Sequence, residues 1–168
     1  PASMVEAFVL AARVRDYQPG MLDELVHAGE VVWTGHGQLG QHDGWVQLWP
    51  RELVLTQPGG AELTPPAEWL AARLAGGGAW RLDDLATDEH PPSALIAAVW
   101  ELAWSGRVTA DSFGPVRELS RHGAVRRTQN VSPRRRMLTR PPRPGVPRWG
   151  PVGRWSLVEP TDTGAPAL

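Results

Sequence analysis

The chain has no cysteine. That removes disulfides, thiolate zinc sites and cysteine nucleophiles together, and it fits a reducing compartment. There is no lysine either: all 17 basic residues are arginine. A Walker-type phosphate loop needs a lysine at the β/γ-phosphates, and Schiff-base chemistry needs a lysine amine. Neither can be carried by these residues. Long apolar runs are also missing. Each apolar stretch is interrupted within a few residues, far short of the roughly 20 needed to cross a bilayer, so no membrane partner is expected. Acid is scarce in one place only. Residues 120–158 hold ten arginines and no Asp or Glu, whereas residues 1–119 hold seven arginines against sixteen acids. A net charge of −1 therefore conceals an acidic body joined to a basic arm, the pattern of a polyanion-binding appendage.

The 168 residues suffice for one ordinary domain or two small ones. The chain opens on Pro1 with nothing that reads as a targeting segment, and it is taken as a piece of a longer polypeptide. Residues 3–12 are apolar and rich in helix formers. Pro19 suits the first turn of a second helix, where its missing N–H costs nothing. That helix, residues 18–28, places Met21, Leu22, Leu25 and Val26 on one face and ends at Gly29, which can take a positive φ cheaply. Glu30 to Thr34 and Gly44 to Trp49 are β-branched and aromatic, hence strands. Residues 51–66 form a Pro/Gly linker. Helices are expected over Ala67–Leu74, Leu82–Ala86 and residues 93–105, with a very short strand near Trp80. Gly106 ends the long helix, and Arg107-Val108-Thr109 enters a strand.

Two of these passages match. Leu22 to Val32 and Val99 to Thr109 lie 77 residues apart, share Glu, Leu, Gly and Val in register, and both read helix, Gly, strand. The order helix, tiny strand, short helix, long helix, strand over residues 67–109 is that of a winged helix, a helix-turn-helix followed by a β-hairpin wing. Residues 93–105 would then be its groove-reading helix, and Gly153–Val158 its returning wing strand. The expected fold is thus α+β: tandem winged-helix units with a disordered Arg/Pro-rich insertion. Residues 1–50 form a partial unit, 67–119 the second unit, 120–150 the insertion, and 151–168 the return strand and tail.

The runs Val9–Tyr17, Met21–Leu25, Gly29–Trp33, Asp43–Val46 and Gly153–Leu157 together resemble the large helicase-related (Lhr) family of bacterial ATP-dependent DNA helicases, in the winged-helix region downstream of the helicase core. The resemblance covers about residues 5–50 and 93–158. It implies a cytoplasmic parent that hydrolyses ATP with Mg and moves on single-stranded DNA; none of the ATPase motifs lies in this stretch, so no cofactor is expected in it. The same region is similar to winged-helix DNA glycosylases, whose Gln-x-Gln signature is not matched, because Gln38 and Gln41 are three apart.

The candidate nucleic-acid contacts are Arg121, Arg126, Arg127, Arg134, Arg135, Arg136, Arg140 and Arg143, with Arg148 and Arg154 beside them. Guanidinium forks match phosphate geometry, and each phosphate neutralised releases counterions; the rival reading is a solvated linker. Trp33, Trp45, Trp100 and Trp104 are expected in the core, whereas Trp49, Trp149 and Trp155 are candidates for stacking on bases. His36, His42 and Asp43 are read as a polar turn rather than a metal site. Asp43, Asp83, Asp84 and Glu101 are read as structural, Glu101 on an exposed helix face. No catalytic, cofactor or metal residue is assigned. The expected partners are DNA, through single strands or the duplex backbone, and the rest of the parent helicase. The alternatives are a purely structural array that packs domains or sister subunits, and part of a glycosylase-like module.

Overall fold

A computed structural model of the chain describes residues 1–54, 62–128 and 151–159. The N-terminal apolar stretch is helical but not regular: α1 (Ala2–Met4) leads into a π-helical segment (Val5–Leu10) and then α2 (Ala11–Arg13). α3 (Pro19–His27) follows, with Pro19 at its start as expected and Leu22 and Val26 buried. It leads into β1 (Val31–Gln38), which pairs antiparallel with β2 (Gly44–Pro50). α4 (Pro65–Leu74) begins two residues earlier than its apolar pattern suggests, because Pro65 and Pro66 occupy first-turn positions that need no donor. α5 (Leu82–Leu85) and α6 (Pro92–Trp104) complete the helical set before β3 (Val108–Ala110). α7 (Gly114–Thr128) and β4 (Trp155–Leu157) close the described chain.

The returning strand is where the sequence placed it. β4 pairs antiparallel with β3, matching Val108 to Leu157 and Ala110 to Trp155. Its other edge is taken by Trp80, which exchanges two backbone hydrogen bonds with Trp155 at 2.9 and 2.8 Å. Among the described residues, β4 thus lies between the Trp80 bridge and β3.

The 77-residue repeat is a repeat of geometry. Gly29 and Gly106 have φ of 74° and 75°. At the first, Glu30 N–H bonds Leu25 O and Gly29 N–H bonds Val26 O, at 3.0 and 3.1 Å. At the second, Arg107 N–H bonds Leu102 O and Gly106 N–H bonds Ala103 O, at 2.9 and 3.0 Å. Both ends are the same Schellman closure, which satisfies the orphan carbonyls of the last helical turn and aims the chain into a strand.

The two halves share one core. Leu22, Val26 and Trp33 belong to the same buried cluster as Leu70, Leu95, Leu102, Val108, Phe113 and Trp155. Trp33 is its hinge: it meets Phe113 and Trp155 edge-on, with ring centres 6.1 and 5.9 Å apart, and donates its indole N–H to Ser112 O. The β1–β2 ribbon comes so close to the end of α6 that side chains are excluded. A Cβ on Gly35 would lie 2.1 Å from Ala103 O, and one on Gly44 2.5 Å from the Trp104 ring.

Three expectations are corrected here. α6 does not offer a groove-reading surface: its side chains are buried or half-buried except Ser93 and Ala97. It is apolar around most of its circumference, and such a helix is driven inside. Residues 120–128 are helical, as the second half of α7, rather than the start of a structureless insertion; residues 129–150 lie outside the described residues. Trp45 and Trp155 exchange roles, the first half-exposed and the second fully buried. Among the described residues, no helix is long and apolar enough to cross a membrane.

Candidate nucleic-acid interface

α7 carries the first of the candidate arginines, so its anchorage decides how they are presented. The anchor is Arg117, one turn into the helix. Its Nε donates to Glu6 Oε2 at 2.6 Å, and its two terminal nitrogens grip Asp23 Oδ2 and Oδ1, both at 2.8 Å. A further bond reaches Pro19 O at 3.1 Å. Asp23 Oδ1 also accepts the backbone N–H of Phe113, just before α7 starts, at 2.9 Å. Tyr17 closes the cluster by donating its hydroxyl to Glu6 Oε1 at 2.6 Å. A planar fork between two carboxylates is a geometry that arginine supplies and lysine does not. Burial alone would lower the Arg117 pKa, but the hydrogen bonds to Asp23 and Glu6 outweigh it and hold the guanidinium charged. Burial, and then the bond to Glu6, raise the Tyr17 pKa well above the usual phenol value, so the hydroxyl stays a donor.

None of this was visible in the sequence reading. The partners of Arg117 lie 94 and 111 residues away, and no local motif joins them. Two other acids read as turn or surface residues also bind at long range. Asp43 accepts from Ser3 N and Oγ, at 3.1 and 2.6 Å, and so caps the N-terminal helical stretch. Glu101 does the same for Thr64 at the start of α4, at 2.8 and 2.6 Å. Asp43 is therefore engaged rather than poised beside His36 and His42, and among the described residues no group of three His, Asp or Glu side chains is arranged to hold a metal.

Of the candidate arginines, Arg121 is exposed one turn beyond the clamp, and Arg126 and Arg127 lie in the last turns of α7. Arg134, Arg135, Arg136, Arg140, Arg143 and Arg148 lie outside the described residues. Arg154 stands exposed at the entrance to β4, its backbone N–H bonded to Asp111 Oδ1 at 3.0 Å. It lines an open cleft of about 470 Å³ with Arg81, His27, Asp23, Glu24 and Asp111. Three acids against two arginines make that cleft a poor phosphate site. Of the tryptophans considered for stacking, Trp155 is in the core, Trp49 is half-buried with its indole N–H on Thr34 Oγ1 at 2.9 Å, and Trp149 lies outside the described residues.

A helix, a bridge residue, a second and a third helix, and then two paired strands, the later of which joins that bridge, make this a winged-helix protein of mixed α+β class. The comparisons agree. Residues 1–51 match the family model of the large helicase-related protein, winged-helix domain. The chain is 42% identical over 149 residues to the Lhr helicase/probable uracil glycosylase of Mycolicibacterium smegmatis, covering 85% of this chain and 10% of that protein. It is 36% identical over 184 positions to the Lhr helicase/uracil glycosylase of Escherichia coli, covering 95% of this chain and 12% of that protein. The chain belongs to the large helicase-related family, in its winged-helix region, and spans about a tenth of the length of these curated relatives.

Proposed function

We propose that this chain is a non-catalytic DNA-binding and scaffolding segment of an Lhr-type ATP-dependent DNA helicase. It is built of tandem winged-helix units that work in the cytoplasm beside a helicase core using ATP and Mg. The observation that carries the reading is the joining of the Arg117 clamp to the charge pattern. α7 is fixed to the body by an ion cluster at its first turn, and from residue 120 to residue 158 the sequence holds ten arginines and no acid. The burial of α6 fits a sequence-independent mode, because the element that would read base edges is covered. The same burial favours the rival, a structural array whose winged helices pack on each other.

A salt titration separates the two. With about four arginines on phosphates, the log–log slope for single strands is expected near −3, from roughly −0.7 per phosphate. Changing Arg134, Arg135 and Arg136 together to Ala flattens the slope and weakens binding alike for all sequences. Unchanged affinity and slope in the triple variant would leave the structural array as the better account.

A further inference from the structure

The outer face of the β1–β2 ribbon has a chemistry that the core does not use. Gly35 pairs with Val46 and Gln38 with Gly44, so His36 and Gly37 together oppose the single residue Trp45. This is a β-bulge, with Gly37 at φ 106°. Bulges of this kind twist a ribbon and re-aim the side chain opposite. Here the indole of Trp45 settles toward the vacant side of Gly37: a Cβ there would lie 3.9 Å from Trp45 Cδ1. The ring stays 50% exposed.

 Val46 and Leu48 take the inner face of β2 against the core, which leaves Trp45 and Gln47 on the outside. His36, Gln38 and Gln47 are exposed around the ring. The one acid between residues 31 and 50 is Asp43, and both of its oxygens are held by Ser3.

From this geometry we infer that Trp45 is a stacking platform for an unpaired nucleobase of single-stranded DNA. The inference rests on the DNA-binding reading above and adds the mode of contact. A flat ring held against a glycine bulge is already ordered, so little side-chain freedom is lost when a base stacks on it. Neighbouring imidazole and amide groups can bond base edges, and no free carboxylate on the ribbon repels the backbone. Duplex DNA keeps its base faces stacked internally and cannot use the ring in the same way. An apolar protein partner would instead call for a wider apolar patch than one indole among polar side chains.

The test uses the 168-residue chain with a fluorescein-labelled oligothymidine and a blunt hairpin duplex, read by anisotropy across a salt series. Trp45→Ala is expected to weaken oligothymidine binding about tenfold, within the roughly five- to 150-fold that one lost base stack produces. Its salt slope is expected to stay the same, because no phosphate contact is lost, and duplex binding to change less than about twofold. Trp45→Phe keeps a flat ring and stays near wild type; Trp45→Leu keeps apolar bulk without the ring and behaves like Ala. That pair decides the matter if Trp45→Ala fails to fold. Oligothymidine binding unchanged in Ala and Leu variants overturns this inference alone, as does equal loss on single strand and duplex. A wild-type chain that binds neither DNA at low salt overturns both this inference and the function it rests on.

Discussion

Replacing Arg117 with Met tests whether the ion cluster holds α7 to the body. The substitution keeps an unbranched stem next to Phe113, whose ring centre is 5.9 Å from the guanidinium carbon, and removes only the charge and its donors. Side-chain exposure is 16% for Arg117 and Glu6 and 32% for Asp23, so both carboxylates are left largely desolvated and without their cation. Breaking a buried pair on one side costs about 3–5 kcal/mol; the exposure of Asp23 argues for the lower end, about 3 kcal/mol. For a chain of this length that lowers the Tm by about 6–12 °C, at roughly 2–4 °C per kcal/mol. Thermal unfolding followed by circular dichroism reads it directly. Adding Glu6→Gln and Asp23→Asn to Arg117→Met should then recover part of the loss, because the stranded charges are gone. Arg121→Met, at an exposed position of the same helix, is expected within about 0.5 kcal/mol of wild type. A loss below about 1 kcal/mol in Arg117→Met, or no recovery in the triple variant, would refute the reasoning.

The two Schellman glycines make a matched pair: Gly29→Ala meets open space and costs about 1 kcal/mol of left-handed strain, whereas Gly106→Ala also places its Cβ 3.0 Å from Gly35 O and costs more, a difference that urea unfolding of both variants measures. Tyr17 adds a pH dependence. Its pKa is raised in the folded state, so its contribution is complete below the unfolded value of about 10 and is lost as pH rises beyond it. Stability measured from pH 9 upward should fall in the wild type, and fall less steeply in Tyr17→Phe.

Much of the fold was legible because local signals and tertiary packing agree. Pro19 sits where a helix start needs no donor, and Gly29 and Gly106 sit where a helix end needs a positive φ. The return strand at Trp155 was legible as an isolated β-rich run after a stretch without apolar period. What was not legible depends on register and distance. Trp33 and Trp45 have the same strand propensity, and only the pairing of β1 with β2 decides which indole faces the core. Arg117 looked like one more cation in an acidic body; its function as a clamp needs Glu6 and Asp23, brought in from the other end of the chain. The second half of α7 was missed because Ala124 and Val125 are adjacent and alone among polar residues and Gly123, so periodicity gives no sign of it. The apolar N-terminal stretch is helical, in keeping with its helix formers, yet Met4, Phe8 and Val9 are exposed.

The place of β4 between Trp80 and β3 has a consequence for the order of assembly. During synthesis the two outer edges of that small sheet emerge long before the strand that joins them, and Trp33 waits for Trp155 for more than a hundred residues. Closing a connection of some forty residues costs about 2 kcal/mol more chain entropy than closing a tight hairpin, and high sequence separation slows folding. Cooperative closure of the body is therefore a late event on the ribosome, and a nascent chain halted before Trp155 would present its half-built core to chaperones.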